Sequence, residues 1–346
     1  MTTPASARLL IVSHSGFARR TLGIVIEDAP DIVVADEAAD GREALEKVAA
    51  LHPDVVVLDL RMPGMDGLST LRSIREARPD LPVLVLDSAG SAGKSAVFEA
   101  LSLGAFDFID TSSWTPMDLH LVGPEFVAKV RAAWRSGHGA PSRKEERRDR
   151  SDELDLPADA RIVCIGASTG GPPALQLLIE ALPDSFPLPV MIVQHMAPGF
   201  MAAFADRLNG CTSLEVREAR EADEIQPGRI LMAPSGNHLL FSSGPRGERV
   251  RLSLEPAGTP HVPSVDVLFG SAAQTYGARV IGIVLTGMGQ DGREGARRLA
   301  EEGAFVIAEA EATCAVYGMP KALVDAGLAR AVWPLPEIAR RLAAIR

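Results

Sequence analysis

A serine set among glycines, a histidine closing an apolar run and an aspartate inside a glycine turn are the residues of this chain that could together do chemistry. The serine lies in "RIVCIGASTGGPPALQLLIEAL", where an apolar strand runs into Gly166-Ala167-Ser168-Thr169-Gly170-Gly171 and a helix follows. Glycines on both sides let Ser168 sit on a tight turn with backbone N–H groups beside it. The helix N-terminus adds positive potential where an oxyanion would form. The pattern is a relative of the strand–turn–helix nucleophile elbow, although glycines beside a hydroxyl also suit a phosphate. The histidine, His195, ends the apolar run of "VMIVQHMAPGF", and the aspartate, Asp291, lies in "VIGIVLTGMGQDGREGARRL". Singly, such a histidine is often structural and such an aspartate often caps the helix after it. Together, each follows a parallel-type strand, so folding can bring all three to one sheet edge. Ser168 would then attack a carbonyl, His195 would take its proton and pass it to the leaving group, and Asp291 would fix the histidine tautomer. The chain order Ser, His, Asp differs from that of α/β-hydrolases, chymotrypsin and subtilisin, so geometry has to justify the grouping.

The elements that must position these residues read as alternating strands and helices. In the second half, strands are expected at 162–166, 190–195, 229–233, 280–285 and 305–308, and helices at 173–182, 200–208, 265–276 and 292–302. "NHLLFSSGPRGERVRLSLEP" reads as a hairpin turning around Gly244 to Gly247. His238 and His261 are the other histidines of this region and the lesser candidates for a base. In the first third, strands are expected at 9–12, 32–35, 55–59, 83–86 and 106–109, with amphipathic stretches such as "DGREALEKVAAL" between them. Both regions predict open parallel sheets covered by helices, with ligands beyond the carboxyl ends of the strands. Between them, residues 136–159 carry charges of both signs and only Leu154 and Leu156 as large aliphatics. That stretch cannot bury a core and reads as a linker. The fold class is therefore α/β, with two doubly wound parallel-sheet domains. One domain spans 1–135, the linker 136–159, and the domain that holds Ser168, His195 and Asp291, with an antiparallel hairpin insert, 160–346.

Composition narrows the function classes. Of 346 residues, 47% are hydrophobic and 23% charged, with a formal net charge of −10. An acidic chain lacks the basic face that neutralises phosphates, so nucleic acid is not the expected partner. No apolar run approaches the ~18 residues of a membrane span, and "MTTPASARLL" shows no secretory cleavage pattern, so membrane insertion is not expected and a cytoplasmic location is. Cys164, Cys211 and Cys314 are far apart and odd in number, which suggests neither a disulfide framework nor a zinc site.

In the first domain, "VVVLDLRMPGMDG" places Asp59 at the carboxyl end of an apolar strand, exposed as a nucleophile above the sheet. This stretch, within five strand–helix units over residues 8 to about 135, resembles the phosphoacceptor segment of two-component receiver domains. The resemblance implies two acids after the first strand that hold Mg²⁺ with the acceptor, a Thr or Ser after the fourth strand and a Lys after the fifth. This sequence departs at each: Ser13 and His14 stand for the acidic pair, Asp87 for the hydroxyl, and Asp110 and Thr111 where the Lys would fall. Mg²⁺ prefers hard oxygens in an octahedron, and an imidazole suits other metals. Asp87 would also repel a phosphorylated Asp59. Weak or absent Mg²⁺-dependent phosphorylation is the expectation.

"GASTGG", "QHM", "HVPSVDVLF", "LTGMGQDG" and "YGMP", preceded by the receiver-like domain and linker, together resemble the chemotaxis protein-glutamate methylesterase family over nearly the whole chain. The resemblance implies hydrolysis of γ-glutamyl methyl esters on chemoreceptors, with release of methanol, and often deamidation of receptor glutamines. It implies a catalytic triad at Ser168, His195 and Asp291, oxyanion support near Met288 with Thr169 as a neighbour, and no cofactor or metal for the esterase. It further implies methylated chemoreceptor cytoplasmic domains and a chemotaxis histidine kinase as partners, and a regulatory domain that partly covers the active site until a signal shifts it. Tyr317-Gly318-Met319-Pro320 is expected to build a wall of the site or start a helix. Two rival readings stand beside this one. Gly287-Met288-Gly289-Gln290-Asp291-Gly292 fits the G-x-G-x-x-G dinucleotide fingerprint, with Glu309 near the spacing of a ribose partner, as in an NAD-binding oxidoreductase. A non-enzymatic response-regulator interaction module is the other.

Overall fold

The computed structural model of the chain describes residues 6–87, 94–111, 114, 119–137, 154–244 and 247–346. The chain divides into two compact units, Met1–Ser142 and Arg143–Arg346. Most of the expected linker, 138–153, lies outside the described residues.

The first unit alternates strand and helix without interruption: β1 (Ala7–Val12), α1 (Gly16–Glu27), β2 (Ile32–Ala38), α2 (Gly41–Leu51), β3 (Val55–Asp59), α3 (Gly67–Ala77), β4 (Val83–Asp87), α4 (Lys94–Ser102), β5 (Asp107–Asp110) and α5 (Leu119–Gly137). The sheet is parallel, in the order β2-β1-β3-β4-β5. Strands β3 and β4 are buried along their whole length, which is why they read as unbroken aliphatic runs rather than alternating ones. Helix starts are set by side chains that satisfy free N–H groups. Ser15 accepts from Ala18, Asp40 from Glu43 and Asp66 from Ser69. Because β1 is flanked by β2 and β3, the winding direction reverses between β1 and β3. Ser13 and His14, just past β1, and Asp59, the last residue of β3, meet at that point.

The second unit is built from β6 (Ile162–Ala167), α6 (Gly171–Glu180), β7 (Val190–Gln194), α7 (Phe200–Asn209), β8 (Glu215–Glu218), β9 (Arg229–Met232), β10 (His238–Gly244), β11 (Gly247–Ser253), α8 (Val265–Tyr276), β12 (Val280–Val284), α9 (Arg293–Glu301), β13 (Phe305–Glu309), α10 (Met319–Asp325), β14 (Ala331–Trp333) and α11 (Leu335–Ala343). Seven of these strands form a parallel sheet in the order β14-β13-β12-β6-β7-β9-β8. Strands β10 and β11 form the expected antiparallel hairpin, in register from His238↔Ser253 to Gly244↔Gly247. Residues 245 and 246, at the expected turn, lie outside the described residues. The hairpin is fastened to α8: the Phe241 N–H donates to Ser271 Oγ at 2.9 Å, and the Phe241 and Tyr276 rings meet edge to face at 5.3 Å. The first strand of the unit, β6, sits in the middle of the sheet with β12 on one side and β7 on the other. That is the switch point at which α/β sheets open a cleft. Among the described residues no helix is long and apolar enough to cross a membrane.

Candidate active site

The turns after β6, β7 and β12 carry Ser168, His195 and Asp291, and those three strands are neighbours in the sheet. The backbone bonds continue past the strand ends, so the turns themselves are placed. The Ser168 N–H donates to the Thr286 carbonyl (3.1 Å) and the His195 N–H to the Ala167 carbonyl (3.0 Å). Gly287 lies so close to the Ser168 turn that a Cβ there would stand 2.9 Å from the Ser168 Cβ and 2.4 Å from the Met319 Sδ. Only a glycine admits that approach.

His195 Nε2 is 2.8 Å from Asp291 Oδ2, and both side chains are nearly buried. With Nε2–H directed at the carboxylate, the lone pair of the neutral ring lies on Nδ1. The nitrogen roles are thus exchanged relative to the serine-protease arrangement, in which Nδ1 meets the aspartate. Ser168 is half-buried, and its hydroxyl makes no hydrogen bond to another of the described residues. The His261 ring stacks on His195 with centroids 4.2 Å apart and planes 19° apart, holding the plane of the base.

Asp291 does more than face the histidine. Its Oδ2 also accepts the Val265 N–H (2.8 Å). Its Oδ1 accepts the Ser264 hydroxyl (2.9 Å) and the N–H groups of Asp266 (3.0 Å) and Gly292 (3.0 Å). The carboxylate therefore caps α8, a helix that precedes it by a whole strand, and sits in that helix's positive end. Burial alone would raise its pKa. The hydrogen bond and charge of His195 and the N–H groups of Val265 and Asp266 outweigh burial and hold the carboxyl well below the usual range. The exchange is reciprocal. Asp266, on α8, accepts the Gly295 N–H at the start of α9 (2.8 Å), and burial raises its carboxyl.

This arrangement removes the footing of the dinucleotide reading. A pyrophosphate at the N-terminus of α9 would meet the carboxylates of Asp266 and Asp291. Glu309 is fully buried and accepts the Thr286 N–H (2.7 Å), with its carboxyl raised by desolvation. It braces the turn after β12 and faces no ribose site. His238 is also buried. Its Nδ1 accepts the Ser264 N–H (3.2 Å), its Nε2 pairs with Thr259 Oγ1 (3.1 Å), and desolvation lowers its pKa, so it supports the N-cap of α8 as a neutral ring.

Thr169 is buried and Met288 half-buried. Neither backbone N–H is bonded to an acceptor among the described residues, which leaves two donors beside the nucleophile turn. Helix α6 begins there, two residues earlier than the sequence predicts, because Pro172 and Pro173 fit a first turn that has no use for their missing N–H groups. Thr286 knots the loops: its hydroxyl donates to the Thr169 carbonyl (2.9 Å) and accepts the Val316 N–H (2.9 Å). Gly318 and Met319 both donate to the Gly287 carbonyl (3.1 and 2.8 Å). The segment 317–320 is thus both a wall of the site and the start of α10. Ser264, Gln194, Thr286 and Glu309 were not singled out as supports by sequence reasoning. Only Ser264 carried a local signal, a serine after proline at the head of a helical run, with an acid in the first turn.

At the sheet edge of the first unit, Asp59 is buried. Its Oδ2 accepts the Ser13 hydroxyl (2.7 Å) and its Oδ1 the Arg61 N–H (2.9 Å). His14 is half-exposed, with Nδ1 3.7 Å from Asp59 Oδ2. Asp87 ends the neighbouring strand, and Thr111 bonds to its carbonyl through both N–H (2.8 Å) and Oγ1 (3.1 Å).

A family model described as CheB methylesterase matches residues 163–342, and one described as a response regulator receiver domain matches residues 9–116. A protein of Myxococcus xanthus named protein-glutamate methylesterase/protein-glutamine glutaminase 5 is 43% identical, over 97% of either chain. A protein of Symbiobacterium thermophilum named protein-glutamate methylesterase/protein-glutamine glutaminase is 40% identical, over 96% of this chain and 95% of its own. The crystal structure of the Thermotoga maritima CheB methylesterase catalytic domain is 38% identical and covers 54% of this chain and 99% of that one, with a TM-score of 0.53. With one matching model covering more than half the residues and relatives aligned almost end to end, the chain belongs to the CheB methylesterase family, with a receiver domain preceding the esterase fold.

Proposed function

We propose that the chain hydrolyses the γ-methyl esters of glutamate side chains on the cytoplasmic domains of chemoreceptors, releasing methanol, and that it does so in the cytoplasm. The observation that carries the reading is the 2.8 Å bond between His195 and Asp291, formed one strand away from an unengaged serine. The substrate class comes from the names of the relatives.

In this reading Ser168 Oγ attacks the ester carbonyl while His195 Nδ1 takes its proton. The Asp291 carboxylate stabilises the positive charge that develops on the ring. The N–H groups of Thr169 and Met288 receive the oxyanion, and losing one such donor costs about 2.7–4 kcal/mol. The C–O bond then breaks, His195 returns the proton to the leaving methoxide, and methanol departs. Water repeats the sequence on the acyl-serine and releases glutamate. A glutamine side chain presents the same acyl carbon with ammonia as leaving group, so deamidation needs no further residue. Incubating the chain with receptor fragments carrying labelled methyl esters tests the proposal. Labelled methanol is the expected product, and its absence from folded protein would sink the reading.

For the first unit the inference is that control does not depend on Mg²⁺-assisted phosphorylation. One carboxylate, already bonded to a hydroxyl and an N–H, with an imidazole beside it, is a poor match for a hard octahedral ion. No group of three or more His, Cys, Asp or Glu side chains among the described residues is placed to hold a metal. Asp87, buried at the end of the neighbouring strand, offers a carboxyl in place of the hydroxyl that the receiver resemblance implies. The expected result of incubation with Mg²⁺ and acetyl phosphate is no phosphate on Asp59 by mass spectrometry and an unchanged rate of methanol release. Stoichiometric labelling would refute it, and would restore a chemotaxis histidine kinase as the natural partner.

A further inference from the structure

Gln194 is the last residue of β7, immediately before His195, and is 1% exposed. Its amide nitrogen donates to two acceptors: the Ser168 carbonyl at 2.9 Å and the His195 carbonyl at 2.8 Å. An amide NH2 has two protons, and here both are spent on the backbones of the two residues that must exchange a proton. The opposite orientation of the amide would set an oxygen against two carbonyl oxygens, so only the nitrogen can face them. The amide oxygen, in turn, is buried without a hydrogen-bond partner among the described residues. It rests on Gly171, where a Cβ would stand 2.0 Å from it. An orphaned buried oxygen is unfavourable, and nothing in the strand requires a glutamine there. The Ser168 carbonyl already accepts the Gly171 N–H at 2.8 Å, so the start of α6 would be satisfied without Gln194.

We propose that Gln194 is a positioning residue for the reaction: its amide ties the nucleophile turn to the base turn and sets the distance between the Ser168 hydroxyl and His195 Nδ1. The inference rests on the reading of Ser168 and His195 as nucleophile and base. The carbonyls it grips belong to the residues that follow the neighbouring strands β6 and β7, whose ladder ends at Ala167 and Gln194. Beyond that point the amide links the two turns. A displacement of about 1 Å between reacting groups can cost on the order of 100-fold in rate, so a tie at this place acts on kcat rather than on substrate binding.

The test uses the full chain with Q194M, Q194E and G171A, following methanol release and thermal unfolding. Methionine keeps the length of the side chain and removes both donors. It is expected to lower kcat about 10- to 100-fold with KM within twofold. A glutamic acid buried against two carbonyl oxygens is held protonated, and its single O–H replaces one of the two donors. Q194E should therefore be faster than Q194M at acid and neutral pH, with that advantage shrinking as pH rises and the carboxyl ionises. G171A, whose methyl displaces the amide without touching the donors, should reproduce the kcat loss of Q194M. A Q194M or G171A enzyme with kcat within twofold of wild type overturns the proposal. So does a loss in all three variants that simply follows the unfolding temperature and is indifferent to pH. Should the Ser168→Ala enzyme retain activity, it is the underlying assignment of the nucleophile that fails. Should Ser168→Ala be inactive while Q194M is unimpaired, the tie alone fails.

Discussion

Ser168→Ala is expected to lower kcat for methanol release by roughly 10⁶-fold, leaving only the residual rate that binding and oxyanion donors provide. The loss is chemical rather than structural. The Ser168 hydroxyl makes no hydrogen bond to another described residue, and the side chain is only half-buried. Its removal orphans no buried partner and opens no core cavity, so unfolding free energy should change by less than about 0.5 kcal/mol. The features that hold the turn are untouched: the Ser168 N–H on Thr286, its carbonyl under the Gly171 N–H, and the close approach of Gly287. Substrate should still bind, with KM little changed. Single-turnover release of labelled methanol from methylated receptor, measured beside a thermal melt, separates the two effects. Activity within tenfold of wild type in a folded Ser168→Ala protein would remove Ser168 from the role of nucleophile.

How much of this was legible beforehand depends on whether the signal was local. Strand β3 was read to the residue because a fully buried parallel strand shows as an uninterrupted aliphatic run ending at a carboxylate. The expected span of α8 matches the observed one to the residue because its apolar period is sustained. Strands β8 and β14 were not anticipated. They lie at opposite edges of the sheet and are only four and three residues long. Glu215 and Arg217 of β8 join an exposed ion-pair network, so no aliphatic run marks the strand. The chemical residues were visible because each sits where an apolar run breaks into glycine. Their supports were not. Asp291 caps a helix 25 residues upstream, Glu309 braces a turn 23 residues before it, and Gln194 reaches back 26 residues to Ser168. A polar side chain inside an apolar run carries no mark of the distant backbone group it will meet. The exchange of nitrogens on His195 is likewise a property of ring orientation, which no spacing encodes.

The second large effect concerns Asp291, whose proposed catalytic role and observed capping role can be pulled apart. In Asp291→Asn the amide oxygen can take the place of Oδ1 and keep the Ser264 hydroxyl and the N–H groups of Asp266 and Gly292. The NH2 must then stand where Oδ2 stood, against the Val265 N–H and His195 Nε2. Toward Val265 this sets donor against donor. Toward His195 it offers a donor where an acceptor is needed, so the ring carries its proton on Nδ1 instead and cannot receive one from Ser168. The expected loss is about 10⁴-fold in kcat, with the fold retained. Asp291→Ala should lose as much activity but also leave the N-terminus of α8 uncapped, at a further cost of about 1–2 kcal/mol in stability. The pH dependence has a definite sign. Because the folded-state pKa of Asp291 is depressed below the ordinary 3.8, its contribution to stability is present above that value and is lost as pH falls through the folded value. The stability gap between wild type and Asp291→Asn should therefore close as pH falls below the ordinary carboxylate range. Denaturant unfolding across that range measures the gap. A gap that failed to close in acid, or an Asn variant as active as wild type, would show that the carboxylate is neither the ionised cap of α8 nor the partner that sets the tautomer of His195.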